Sequence, residues 1–273
     1  MSTSSSIPAC LRSGQHEVHT PELDFSIALD ARRASMERDG LPPEMESEDA
    51  KKCRRAVAIV NFMAQDRPDL AVTANVLSRS MARPREGQEL GIKRAIRYLN
   101  GAPRLCYKFG WQEVPEMVDV LTDSDWAGDV LSRRSTSRGT LLFGNHLLQH
   151  WCSMQSGVAL SSGEAELTAL VRGVSEALCT GNVLNDFGFK VGIRSYCDSS
   201  AARGITNRVG VGKMKHLEVK HLWIQQQRSQ GRVTVFRVPR NINPADSFTH
   251  PSAFAQLQQT WSRLGLSFRP NPC

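Results

Sequence analysis

The apolar residues of this chain change their spacing near Trp111, and that change limits the folds open to it. Before this point they recur every three or four residues, which predicts helices over Arg54–Gln65, Leu70–Met81 and Gly87–Leu99. After it they fall in short runs bounded by turn residues, which is typical of strands. We therefore expect a small helical segment followed by a region that contains a sheet.

The second region predicts a mixed sheet. Three strands come first, and a Gly144-Asn145 turn separates the second from the third, so these three should form a meander. Helices and strands then alternate, which predicts an α/β fold with a mixed five-stranded sheet and flanking helices. The predicted strands are Met117–Thr122, Gly139–Phe143, His146–Cys152, Ile193–Cys197 and Arg232–Val238. The predicted helices are Ser162–Phe187, one through Ala201 and Ala202, Leu217–Arg228, and one from Pro244 toward Leu266.

Charge is divided unevenly along the chain. Residues 1–50 hold 4 basic and 10 acidic side chains, and we expect them to form a mostly disordered acidic leader. The other 223 residues hold 30 basic and 17 acidic side chains, a net charge of +13. An excess of this size suits a protein that binds a polyanion, although a solvated basic surface explains the balance equally well.

The cysteines and the apolar segments indicate the compartment. The seven cysteines are scattered and form no C-x-x-C pair, so neither a disulfide framework nor a zinc site is favoured. The Ser-rich N-terminus has no apolar run of a secretory signal, and no stretch approaches the roughly 18 apolar residues of a membrane span. We therefore expect an intracellular protein, cytoplasmic or nuclear, without a membrane partner.

Four acidic residues are expected to meet at one edge of the sheet. Asp123 follows the first strand, Asp198 follows the fourth, Glu166 lies in the first turns of the long helix, and Asp246 opens the last one. Such a cluster repels itself unless divalent cations neutralise it, and ligands that are all oxygen favour Mg²⁺ or Mn²⁺. Taken singly, each acid is better explained as a helix cap or a turn residue.

The residues around these acids carry a resemblance to a known family. The motifs are L-T-D-S-D-W-A-G-D at 121–129, R-R-S-T-S at 133–137, V-A-L-S-S-G-E-A-E at 158–166, Y-C-D-S-S-A-A at 196–202, K-H-L-E-V-K-H-L at 215–222 and N-P-A-D-S-F-T at 243–249. In this order they resemble the ribonuclease H domain of copia-type LTR retrotransposon Pol polyproteins. Residues 51–103 look like the C-terminal part of the same element's reverse transcriptase.

The resemblance implies a ribonuclease H-like domain over residues 117–266. It also implies an endonuclease that uses two Mg²⁺ or Mn²⁺ ions to hydrolyse the RNA strand of RNA–DNA hybrids. The family's catalytic and metal-binding acids fall on Asp123, Glu166, Asp198 and Asp246. Side chains two apart on a helix point in different directions, so Glu164 cannot join Glu166 at the metals.

The remaining expectations concern partners and alternatives. The paired-aspartate fingerprint of the polymerase is absent, so a reverse transcriptase polymerase domain would act in trans. Basic side chains near the acids are candidates for phosphate contacts, although a solvated surface explains each of them equally well. These basic residues are Arg133, Arg134, Arg138, Lys213, Lys215 and Lys220. Trp126 and Trp151 are expected to pack into the core, with base stacking as the alternative. The alternative is a catalytically inactive or truncated retrotransposon fragment that binds nucleic acid, and a weaker one is a scaffold without enzymatic activity.

Overall fold

Three helices open the part of the chain that the structure describes. The computed structural model describes residues 42–210, 212, 218–246 and 260–269. The helices are α1 (Ser47–Met63), α2 (Ala71–Ser78) and α3 (Gln88–Gly101). All three predicted helices are confirmed with shifted ends, and α1 begins inside the stretch expected to be mostly disordered.

The helical segment has an apolar core of its own. Helices α1, α2 and α3 pack together around Val57, Leu77 and Ile92, which are all buried. Ala95 is fully buried where α3 meets the other two helices, which small side chains allow because they let the backbones approach. This core is separate from the two apolar clusters that lie on the sheet.

The sheet has five strands in mixed orientation. They are β2 (Met117–Asp125), β3 (Thr136–Phe143), β4 (His146–Met154), β5 (Gly192–Cys197) and β6 (Thr234–Arg237). Their order is β4-β3-β2-β5-β6, in which β3 pairs antiparallel with β2 and β4, while β5 pairs parallel with β2 and β6. This order, with helices packed on the sheet, confirms the ribonuclease H-like fold class predicted from the sequence.

The long helix α4 (Ser162–Asp186) packs against one face of the sheet. Its buried Leu167, Leu170 and Val174 form the largest apolar cluster together with Val120 of β2 and neighbouring side chains. Two short helices complete this layer, α5 (Ser200–Thr206) and α6 (Trp223–Ser229). No helix in the described ranges combines the length and apolar composition needed to cross a membrane.

One strand pair lies outside the sequence prediction. Strand β1 (Arg104–Tyr107) pairs antiparallel with β7 (Leu266–Arg269) in a separate two-stranded sheet. The last helix was expected to reach Leu266, but the helical turn at 260–263 ends before Gly265, whose φ of 73° is left-handed. The prediction is therefore wrong at this end, and residues 247–259 lie outside the described ranges.

The helical segment contacts the face of the sheet opposite α4. Neighbouring side chains on a strand point to opposite faces, and Trp151 of β4 belongs to the core under α4. His150 therefore faces the other way, and its Nε2 lies 3.1 Å from the carbonyl oxygen of Gln65. Asn75 Nδ2 of α2 also donates to the carbonyl oxygen of Cys152 at 3.3 Å.

Candidate active site

Three of the predicted acids converge at one end of the sheet. Asp123 lies near the end of β2, Asp198 directly follows β5, and Glu166 lies in the second turn of α4. Strands β2 and β5 are parallel neighbours, so their C-terminal ends meet at the same edge. One carboxylate oxygen from each residue lies within 4.8 Å of the other two. Asp123 and Glu166 are buried, and Asp198 is half-buried.

Glu166 is fixed to the end of β2 by one of its two oxygens. Its Oε1 accepts hydrogen bonds from the backbone N–H of Ser124 at 3.1 Å and from the Ser124 hydroxyl at 2.9 Å. Its Oε2 is buried and has no hydrogen-bond partner among the described residues. A buried carboxylate oxygen without a partner is costly and suits a bound cation. Sequence reasoning missed Ser124, although it stands between the two aspartates of the T-D-S-D motif.

A glycine brings α4 close enough for this contact. Gly173 faces β2, and a Cβ at this position would lie 2.4 Å from Thr122 Cγ2 and 3.2 Å from Val120 Cγ2. Any larger residue would therefore push the helix away from the strand. The close approach sets the distance over which Glu166 reaches Ser124.

Glu164 has a structural role at the start of α4. Its Oε2 accepts from the backbone N–H of Leu160 at 2.7 Å, and its own N–H donates to Ser161 Oγ at 3.2 Å. This arrangement is a variant of the capping box, in which the glutamate accepts from the residue before the N-cap Ser161, and it satisfies N–H groups at the helix start. Of these two glutamates, Glu166 is the one that contributes an oxygen to the carboxylate group. Its role as a metal ligand stays a prediction.

Burial and mutual repulsion raise the pKa of two of the acids. Burial, followed by the charges of Asp246 and Asp198, raises the pKa of Asp123 to about 7. Burial, followed by the charge of Asp123, raises the pKa of Glu166 to about 8, although the Ser124 hydrogen bonds oppose the shift. The protein thus holds carboxylates where ionisation is unfavourable unless positive charge is added. Because the donors are all oxygen, these residues fit a hard divalent cation.

Asp246, the fourth predicted acid, lies outside the group of three. Its Oδ1 accepts from Arg240 Nε at 3.0 Å in a partly exposed ion pair. It lies near enough for its charge to raise the pKa of Asp123. Asn243 holds this segment against β2, because its Nδ2 donates to the carbonyl oxygen of Thr122 at 3.0 Å. The structure therefore places Asp246 beside the site, paired with a cation.

Arg138 is a buried cation next to the site, and this corrects its assignment as a phosphate contact. It pairs directly with Asp123 across the β2–β3 ladder, is only 2% exposed, and its charge opposes the rise in the pKa of Asp123. Its Nε and Nη1 have no hydrogen-bond partner in the described part of the chain. An inaccessible guanidinium cannot bind substrate, but it offsets part of the negative charge of the cluster.

The other basic residues divide into two groups. Arg133 and Arg134 are exposed in the loop between β2 and β3, at the same end of the sheet as the carboxylates. Their contact with phosphate stays a prediction. Lys213 and Lys215 lie outside the described residues, so the structure leaves both predictions untested.

Comparison with known proteins identifies relatives. No family model matches the chain. The retrovirus-related Pol polyprotein from transposon RE1 of Arabidopsis thaliana is 29% identical over 227 residues, which are 81% of this chain and 15% of that protein. The secreted RxLR effector protein 161 of Plasmopara viticola is 40% identical over 122 residues, which are 44% of this chain and 84% of that protein.

One solved structure and a further Pol polyprotein are also similar to the chain. LC11-RNase H1, isolated from compost by a metagenomic approach, is 18% identical, with 49% of this chain and 92% of that chain covered and a TM-score of 0.39. The Pol polyprotein from transposon TNT 1-94 of Nicotiana tabacum is 30% identical over 194 residues. This chain spans about 15% of the length of such polyproteins. Its homologues include retrovirus-related Pol polyproteins from copia-type transposons.

Proposed function

We propose that the chain is a ribonuclease H that hydrolyses the RNA strand of RNA–DNA hybrids with two divalent ions. The observation that carries the proposal is the group of carboxylate oxygens from Asp123, Glu166 and Asp198 within 4.8 Å of one another. The similarity to retrovirus-related Pol polyproteins supports the same reading, because a nuclease of this kind is what the sequence resemblance implies.

Asp123, Glu166 and Asp198 would hold the cations, with Asp246 beside them. When bound, such ions supply an activated water and stabilise the leaving oxygen of a phosphodiester. The chain's own part is to fix the ligands. Ser124 orients Glu166, the capping box fixes the start of its helix, and the β2–β5 pairing sets the separation of the two aspartates.

The substrate we propose is an RNA–DNA hybrid. Arg133 and Arg134 would contact its phosphates, because both are exposed at the carboxylate end of the sheet. Lys213 and Lys215 are proposed for the same role from the sequence alone. A polymerase domain acting in trans is the protein partner we propose, because residues 51–103 resemble the C-terminal part of a reverse transcriptase.

A second candidate is a nucleic-acid-binding fragment without turnover. The observation that favours it is the ion pair between Asp246 and Arg240, which engages the fourth acid with a cation of the chain itself. In this reading the three remaining carboxylates would bind metal too weakly for hydrolysis.

Cleavage of a labelled RNA–DNA hybrid in Mg²⁺ or Mn²⁺ separates the two candidates. Wild-type protein should cut the RNA strand, and Asp198→Asn should abolish cutting. Glu166→Gln and Glu164→Gln form a matched pair on one helix, since only Glu166 belongs to the carboxylate group. Cutting should therefore be lost in the first and retained in the second. Hybrid binding without cutting by wild-type protein would favour the second candidate.

A further inference from the structure

An exposed apolar surface borders the three carboxylates. Its members are Trp126, Val158 and Leu160, whose exposed fractions are 50%, 51% and 66%. We call these three residues the ledge. Single exposed apolar residues are common, but a contiguous apolar surface next to an active site usually marks a binding surface. The sequence analysis expected Trp126 in the core, and the structure corrects this.

The three residues form one surface because Trp126 lies against the loop between β4 and α4, which carries Val158 and Leu160. Trp126 Nε1 donates a hydrogen bond to the carbonyl oxygen of Ala159 at 3.0 Å, which places the indole beside the residue between Val158 and Leu160. The only polar atom of the ring is therefore satisfied within the protein. The exposed half of the side chain is a carbon surface, which prefers an apolar or aromatic contact to water.

Both ends of the ledge are joined to the carboxylate site. On one side, Trp126 lies two residues after Ser124, which binds Glu166 Oε1. On the other side, the N–H of Leu160 donates to the capping carboxylate of Glu164 at the start of α4. The ledge is thus held in a fixed position relative to the carboxylates, as a substrate-positioning surface requires.

The loop that carries Trp126 also presents two cations. Arg133 and Arg134 are exposed there, and Arg133 has a φ of 56°. Ala127 has a φ of 52°, and left-handed conformations at residues other than glycine are strained and concentrate at functional sites. Arg79, the residue directly after α2, supports this loop through an ion pair with Asp129 at 3.3 Å. An apolar platform beside cations is the combination that binds a nucleic-acid strand.

We propose that the ledge packs against the nucleoside faces of one strand of the bound hybrid, while Arg133 and Arg134 contact its phosphates. This inference rests on the proposed function. It assigns Trp126 as a substrate-binding residue that positions the strand beside the carboxylates. The contact is apolar, so its contribution to affinity should persist at salt concentrations that weaken phosphate contacts.

The test measures affinity separately from cleavage. A fluorescent RNA–DNA hybrid is titrated in Mg²⁺ against protein that carries Asp198→Asn, and binding is followed by anisotropy at low and high salt. Adding Trp126→Ala should weaken binding about tenfold, since the apolar surface of the exposed half of the indole no longer packs against the strand. Trp126→Phe keeps the ring face but loses the bond to Ala159, and should stay within about twofold.

Trp111 gives a matched control. It is 91% exposed in the loop that precedes β2, at the opposite end of this nine-residue strand from the carboxylates. Trp111→Ala should therefore leave hybrid affinity unchanged. Equal loss in Trp111→Ala, equal loss in Trp126→Phe, or no loss in Trp126→Ala would each overturn the assignment. Should Trp126→Ala unfold, as judged by circular dichroism, the double variant Val158→Ser/Leu160→Ser must weaken binding instead.

The outcomes also separate the ledge from the proposed function. If wild-type protein binds the hybrid through Trp126 but does not cut it, the ledge stands and the nuclease proposal fails. If wild-type protein cuts while Trp126→Ala binds normally, the nuclease proposal stands and the ledge fails.

Discussion

Replacing Asp123 with asparagine should stabilise the metal-free protein at alkaline pH. The pKa of Asp123 rises from 3.8 to about 7 on folding, so at pH 8 its ionisation costs the folded state roughly 4 kcal/mol relative to the unfolded chain. Asparagine has nearly the same shape and removes that cost. The free energy of unfolding should therefore increase, by an amount that approaches this figure where the amide keeps the surrounding contacts.

The sign of the pH dependence follows from the raised pKa. Below about pH 3, under the unfolded-state pKa of 3.8, Asp123 is protonated in both the folded and unfolded states, so the variant gains little there. As pH rises through about 7 the wild type loses stability that the variant keeps, so the difference should grow between pH 4 and pH 8. Urea denaturation in EDTA at five pH values, followed by circular dichroism, measures this difference directly.

Asp119 provides the matched control on the same strand. It is also buried, but it binds Arg194 through two hydrogen bonds of 2.6 and 2.8 Å. Asp119→Asn should therefore destabilise the protein by about 1–3 kcal/mol, because it weakens a charge-assisted pair. If Asp123→Asn also destabilised the protein at pH 8, or if its effect did not vary with pH, then ionisation of Asp123 would not destabilise the folded state, and the prediction would be wrong.

Three further outcomes are expected. Mn²⁺ should raise the melting temperature of the wild type and raise that of Asp198→Asn much less, because only an intact ligand set binds the ion in the folded state; equal responses would contradict a metal site. Gly173→Ala should lower the free energy of unfolding by about 1–3 kcal/mol, because its Cβ would clash with Thr122. Gly181→Ala is the control and should be near neutral, because its Cβ would lie 3.4 Å from Ile193 Cδ1; thermal denaturation measures both variants. We propose that residues 51–103 and 117–266 are two modules. Limited proteolysis should therefore cut first between Gly101 and Met117, where the chain is exposed around Trp111, and leave a stable sheet-containing fragment. Mass spectrometry identifies the cut, and resistance of that stretch to cleavage would contradict the division.

The sheet was predictable because each strand carries its own local pattern. Turn residues bound the strands of the meander, and the parallel strands follow a long helix with a clear apolar stripe. The carboxylate group followed from the same layout, since parallel neighbours place Asp123 and Asp198 at one edge. These inferences needed only residues close together in the sequence.

Features that depend on distant residues were not predictable in this way. The β1–β7 pair joins two short segments that lie about 160 residues apart in the sequence, and neither has a strong pattern alone. Arg138 looks like a surface cation in the sequence, yet it is buried on β3 between its cross-strand partners Asp123 and Cys152. Trp126 looks like a core residue, but its position on a loop past the end of β2 leaves half of it exposed. Tertiary packing decides each of these cases.

The β1–β7 pair has a consequence for the order in which the chain can fold during synthesis. Leu105 pairs with Phe268, and Phe268 also packs against the core of the helical segment. The three helices are made before this apolar partner, which follows about 160 residues later in the sequence. A nascent chain would therefore expose that apolar surface until Phe268 has been synthesised, and such exposure is the condition under which chaperones bind.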